Sequence, residues 1–255
     1  MKNFAFIGLG PFAMSMLERI SVISDQIIAA DESPERIEHV KEMVSVAFTM
    51  NLLDEEAFER AFHEPVDVAI VDIESNGPEL LLVTFRLKKL GVPEIIVKSN
   101  SEEYEELLRL VGATRVVNSD REAALRVTPL VLSASLTNFM PISGDLVLAE
   151  VIAPDFVVGK SVIEGDLRNT RHINVVAVKY ASEMDSSGAH KEVFHNLDTK
   201  YRFKSGDVLL VTGKESDVFE FSGIPKTIEH EKEATKMTSF LKSMFNRKKK
   251  DIENK

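Results

Sequence analysis

Gly8-Leu9-Gly10-Pro11-Phe12-Ala13 places two glycines and a small residue at the spacing G-x-G-x-x-A, between an apolar strand-like run and a helix-like run. Glycines at these positions allow a tight turn and close backbone approach to a diphosphate. The helix that follows offers N–H groups and the positive end of its dipole. Asp31 closes the next apolar run, 21 residues after Gly10, where a carboxylate accepts hydrogen bonds from ribose hydroxyls. Asp31 also suits a cap on the next helix, so both roles stay open. Glu32 and Ser33 follow it without an arginine, which disfavours a ribose 2′-phosphate. The pattern predicts an adenine-nucleotide site.

Other chemistry is missing. The chain has no cysteine, which removes disulfides, thiolate catalysis and cysteine-based metal sites. It has no nucleophile elbow, zinc helix or Walker loop. Histidines 39, 63, 172, 190, 195 and 230 lack metal-ligand spacing, so no catalytic residue and no firm metal site are expected.

The elements that would position the loop read clearly over the first 120 residues. Strand-like runs at 4–8, 27–31, 44–48, 66–72, 94–98 and 115–118 alternate with helix-period stretches. Their branched, apolar composition with little alternation suits parallel strands buried on both faces. Six βα repeats predict a doubly wound, Rossmann-like α/β sheet. From Asp120 a helix-capable run extends to Leu136 and meets Asn138-Phe139-Met140-Pro141. Short strands at 146–152, 173–180, 193–196 and 208–212 follow, punctuated by Ser/Gly turns. These predict a small α+β domain, giving domains at 1–137 and 138–224 and a tail at 225–255.

The 255 residues carry a formal net charge of −10, which argues against a general nucleic-acid binder. The charge is uneven: the last 25 residues carry +4 and the rest −14. In that tail Met237, Phe240, Leu241, Met244 and Phe245 fall on one helical stripe, with Lys236, Lys242 and Arg247-Lys248-Lys249-Lys250 around it. That composition predicts contact with an anionic membrane surface through residues 236–250. No apolar run is long enough to span a bilayer, and no signal peptide is expected, so the expected location is the cytoplasm, at the inner face of the membrane.

Over residues 3–221 the sequence resembles the cytosolic regulatory subunits of Trk/Ktr-type potassium transporters. N-terminal marks are the Gly8–Phe12 loop, Asp31, Val66–Val71, Gly91-Val92-Pro93 with Ile95–Lys98, and Gly112-Ala113 with Arg115–Val117. C-terminal marks are Val158–Ser161, Leu167-Arg168, Ile173–Lys179 and Phe203–Gly213. The resemblance implies an N-terminal nucleotide-binding RCK domain joined to a C-terminal RCK domain. It further implies a homo-oligomeric ring, commonly an octamer, beneath a membrane potassium-translocating subunit and gated by ATP/ADP or NAD(H). Carried onto this chain, Gly8, Gly10 and Phe12 hold the phosphates and Asp31 the ribose, with Pro11 and Glu32 beside them in the nucleotide site. Asn51 falls near the base, Lys98 closes a strand of the site, and Asp120 meets the phosphate end of a neighbour's nucleotide through a cation. Pro11 stands where several members carry an arginine, and Leu52-Leu53 replace a small-residue-then-Thr/Ser pattern, implying weak selection of a triphosphate. In the second domain Ile163, Leu167, Arg168, Asn174 and Val175 match positions that bind cyclic di-AMP in some relatives. Two other readings stay open: an NAD-dependent oxidoreductase, and a stand-alone protein that binds cyclic di-AMP.

Overall fold

The computed structural model describes residues 2–73, 77–182 and 193–225, and it divides into two units at Ala124/Leu125. The first unit holds strands β1 (Phe4–Ile7), β2 (Ile27–Asp31), β3 (Val46–Thr49), β4 (Val68–Val71), β5 (Glu94–Lys98) and β6 (Arg115–Val117). Its helices are α1 (Pro11–Ser21), α2 (Pro34–Val40), α3 (Glu55–Ala61), α4 (Pro78–Lys89) and α5 (Glu102–Val111). All six strands run parallel in the order β3-β2-β1-β4-β5-β6. The expected doubly wound sheet is therefore present.

Alternate residues of each strand face opposite layers. Ala5 and Ile7 of β1 join Phe58, Val83, Leu87 and Leu108 on one side of the sheet. Phe6 joins Leu17, Ile37, Val40 and Ile70 on the other. Chain order reverses between β1 and β4, so their carboxyl ends frame the crevice where open α/β sheets take ligands.

Helix α6 (Ser119–Leu132) contains the division between the units. This division by packing lies ahead of the boundary expected after residue 137. Pro129 inside α6 has no N–H to give the Leu125 carbonyl, and Leu130 already belongs with the second unit's core.

The second unit is a five-stranded sheet, β10-β9-β11-β8-β7, antiparallel throughout. Its strands are β7 (Leu136–Ser143), β8 (Leu146–Ile152), β9 (Asn174–Lys179), β10 (His195–Asn196) and β11 (Val208–Lys214). The short helices α7 (Val162–Gly165) and α8 (Leu167–Thr170), with α9 (Glu215–Phe221), complete it. Strand β7 corrects the expectation of a helix-capable run to Leu136: α6 ends at Leu132, and Leu136–Ser143 pairs with β8. Proline is tolerated here because β7 lies at the sheet edge.

Buried Asp207 ties the turn before β11 together, accepting from Ala181 N, Lys204 N and the Tyr201 hydroxyl at 3.0, 2.8 and 2.7 Å. Burial first, then the bond to Asp207, pushes the Tyr201 hydroxyl above its ordinary range. A raised folded pKa gives stability that is complete below about pH 10, the free tyrosine value, and is lost as pH rises through the folded value. Tyr201→Phe is expected to lower stability by about 2 kcal/mol at pH 8 and to flatten the alkaline limb; urea midpoints between pH 8 and 11 test both.

The stripe at Met237–Phe245, the basic run at 247–250, and His190 and His230 lie outside the described residues. Among the described residues no helix is long and apolar enough to cross a membrane, and no acid or histidine cluster suits a metal ion.

Candidate functional site

The glycine loop leaves β1 at the switch point, and its tightness has a concrete origin. Gly8 has φ +77°, and a Cβ there would stand 2.4 Å from the Asp72 carbonyl oxygen. A Cβ on Gly10 would stand 2.3 Å from Asp72 Oδ2. Two residue types are thus fixed by what lies across the crevice, at the end of β4.

Every backbone donor of the loop is engaged. Gly8 N donates to Ala30 O, Leu9 N to Asp31 Oδ2 (2.7 Å), and Gly10 N to Asp72 O. Pro11 has no N–H. Phe12 N and Ala13 N both donate to Asp72 Oδ2 at 3.0 Å, and Met14 N closes the first helical bond onto Gly10 O. Gly10 has no side chain with which to cap α1, so a carboxylate about 60 residues away caps it instead. Asp72 is fully buried; its Oδ1 lies 3.8 Å from Lys98 Nζ and accepts no hydrogen bond.

Asp31 does not take the capping role the sequence left open to it. It is buried at the end of β2, with Oδ1 accepting from Ser33 N (2.7 Å) to shape the entry to α2 and Oδ2 holding the loop through Leu9 N. Each oxygen keeps a second lone pair for a ligand hydroxyl. Arg36 Nη1 lies 3.7 Å from Oδ2. The cap on α2 falls to Ser33, whose hydroxyl accepts from Arg36 N.

Asp31 borders a cavity of about 250 Å³ lined also by Gly8, Glu32, Arg36, Leu52, Leu53 and Ile73, with Ser33 and Glu79 completing it. The apolar side comes from the turn after β3. Arg86 clamps that turn, donating to the carbonyls of Leu52 (3.1 Å) and Leu53 (2.8 Å). Asn51 is exposed and spends its Oδ1 on Leu53 N, so it shapes the turn while the two leucines line the cavity. Asp120 is exposed, accepts from Asn100 Nδ2, and does not cap α6; Asn118 does, through Arg121 N.

The structure thus brings together Gly8, Asp31 and Glu32 from the sequence reading and sets Asn51 and Asp120 elsewhere. Sequence reasoning missed Asp72, Arg36 and Ile73. Asp72 ends the seven-residue run 66–72, which reads simply as a buried strand. Arg36 is the third residue of α2, beyond Glu32 and Ser33, and it corrects the expectation that no arginine stands beside Asp31.

An adenine nucleotide can be tested against this geometry in two halves. The nucleoside half fits, with apolar walls for a base and a buried acid with spare lone pairs for the ribose. The phosphate half does not fit as the loop stands, because the donors that would receive a phosphate are already bonded to Asp72.

In the second unit the five residues matched to a cyclic dinucleotide lie along α7, α8 and the start of β9. Ile163, Arg168 and Asn174 are exposed and Val175 is half-buried. Leu167 is a core residue, packed with Phe203, Val211 and Val218, and offers no surface to a ligand.

Comparison with known proteins agrees with both units. The TrkA-N domain family matches residues 4–119. The chain is 29% identical to Ktr system potassium uptake protein C of Bacillus subtilis (strain 168) over 220 residues, 86% of this chain and 96% of that protein. It is 24% identical to Ktr system potassium uptake protein A of Vibrio alginolyticus over 212 residues, 83% of this chain and 92% of that protein. The GsuK RCK domain crystal structure shares the fold at TM-score 0.53 and 16% identity, covering 88% of this chain and 47% of its own. The NAD-bound GsuK channel does so at 0.55 and 16%, covering 88% and 39%, so this chain spans less than half of either. The six-stranded parallel sheet and the antiparallel sheet after it match the N- and C-terminal halves of an RCK fold, and residues 4–119 form a TrkA-N domain in a chain similar over most of its length to Ktr potassium uptake proteins.

Proposed function

We propose that this chain is the cytosolic regulatory subunit of a potassium-uptake system, binding an adenine nucleotide in its first unit and performing no reaction of its own. The observation that carries this reading is the likeness to Ktr potassium uptake proteins across both units and nearly the whole length of those relatives. The partner is a membrane potassium-translocating subunit, met from the cytoplasmic side. Residues 1–137 act as the nucleotide-binding domain, residues 138–224 as the second RCK domain, and the basic tail at 225–255 as the membrane-facing segment.

The residues divide the work as follows. Asp31 receives the ribose hydroxyls, Leu52, Leu53 and Ile73 flank the base, and Arg36 supplies positive charge beside Asp31. Regulation is a population shift, which requires the ligand to bind one conformation of the assembly better than another. Exposed apolar residues support self-association: Leu82 and Phe85 on α4, Leu107 and Leu110 on α5, and Val131 and Leu132 on α6. Ile163, Arg168, Asn174 and Val175 are the surface proposed for a cyclic dinucleotide.

The test is co-expression with a Ktr-type membrane subunit and purification through a tag on that subunit in mild detergent. Recovery of this chain in fixed ratio supports the reading. Consistent failure to co-purify, with both proteins folded and present, overturns it.

A further inference from the structure

Two backbone N–H groups at the start of α1 and the Lys98 ammonium converge on one point in the switch-point crevice, and the group occupying that point is the carboxylate of Asp72. The arrangement is lopsided. One oxygen, Oδ2, takes both N–H bonds at 3.0 Å, while the other is buried without a hydrogen bond, 3.8 Å from Lys98. A buried carboxylate is normally bonded at both oxygens, and a half-satisfied one is costly. The donors match a larger anion better. A phosphate has enough oxygens to meet Phe12 N, Ala13 N and Lys98 Nζ separately, each as a charge-assisted bond.

We infer that Asp72 is a resident anion in the phosphate position of the glycine loop, so that a nucleotide phosphate enters only by exchange with this carboxylate. Two negative groups cannot share the crevice: Asp72 Oδ2 already occupies the space within 2.3 Å of where a Gly10 Cβ would stand, and like charges at such range repel strongly. The nucleoside cavity is lined mainly by Asp31, Arg36, Leu52 and Leu53, from the β2–β3 side of the loop, and Asp72 itself is not part of its wall. The intact chain therefore takes an adenine nucleoside more readily than the corresponding diphosphate. Asp72 sets that preference, and Lys98 is its counter-ion, ready to meet a phosphate when Asp72 leaves. No covalent step is involved.

This inference rests on reading the cavity as an adenine-nucleotide site, and the experiment separates the two. Adenosine and ADP are titrated calorimetrically into the full-length chain, into Asp72→Ala and Asp72→Asn, and into Asp72→Ala/Lys98→Ala. Thermal melts verify folding, and Asp72→Asn carries the test if alanine unfolds the loop. The expected result is adenosine affinity constant within about twofold, with ADP affinity rising tenfold or more in Asp72→Ala, less in Asp72→Asn, and falling back when Lys98 is also removed. ADP bound equally by the intact chain and both single variants overturns the exchange and leaves the nucleotide site standing. No binding of either ligand by any folded protein overturns the nucleotide site and the exchange with it.

Discussion

Gly10→Ala is expected to destabilise the chain by about 3 kcal/mol, and to cost far less once Asp72→Ala has already removed the carboxylate it would strike. The new Cβ would meet Asp72 Oδ2 at 2.3 Å, so the carboxylate has to leave the N-terminus of α1 and strip Phe12 N and Ala13 N of their acceptor. With the carboxylate already gone there is nothing to strike. Gly10→Ala then costs under about 1 kcal/mol, and a double-mutant cycle reads a coupling of about 2 kcal/mol. Gly8→Ala is the control. Its Cβ meets the Asp72 carbonyl oxygen at 2.4 Å, and its φ of +77° is strained for alanine, so it loses about 4 kcal/mol with no rescue from Asp72→Ala. Urea denaturation of the intact chain and the five variants checks all of this. Equal rescue of both glycine variants, or of neither, would contradict the contact described at β4.

Asp31→Ala is the second large effect. The carboxylate is buried and is the acceptor for Leu9 N and Ser33 N, so its loss leaves two donors without partners and removes the negative charge beside Arg36. A loss of about 3 kcal/mol in stability is expected, with adenosine affinity lower by at least tenfold. Asp31→Asn keeps one acceptor oxygen but turns an NH2 towards a backbone N–H, and falls between. Urea midpoints and calorimetric titration together are decisive. A stable Asp31→Ala protein that bound adenosine normally would show the acid to be neither the loop's anchor nor the ribose partner.

What the sequence conveyed and what it withheld follow from physical range. Strands such as 68–71, buried on both faces, announce themselves as continuous apolar runs, and the glycine spacing marks the tight turn after β1. Asp31 was legible for the same reason, as a lone acid ending such a run. Asp72 ends an equivalent run, yet its meaning depends on a contact with residues about 60 positions away that no local pattern encodes. Arg36 was hidden by helix geometry: α2 turns its third residue back towards the strand end it follows. Strand β7 was misread because Asn138 and Pro141 look like turn residues until their place at a sheet edge is known.

The most direct measurement is rubidium uptake into proteoliposomes that hold the membrane subunit recovered with this chain. Uptake is compared without the chain, with it, and with it in the presence of adenosine, ADP or NAD. The account predicts that adding the chain changes the rate, that at least one adenine ligand changes it again, and that Asp31→Asn blunts the second change while leaving the first. A rate indifferent to the chain, or a chain effect indifferent to every one of these ligands and to Asp31→Asn, would contradict it.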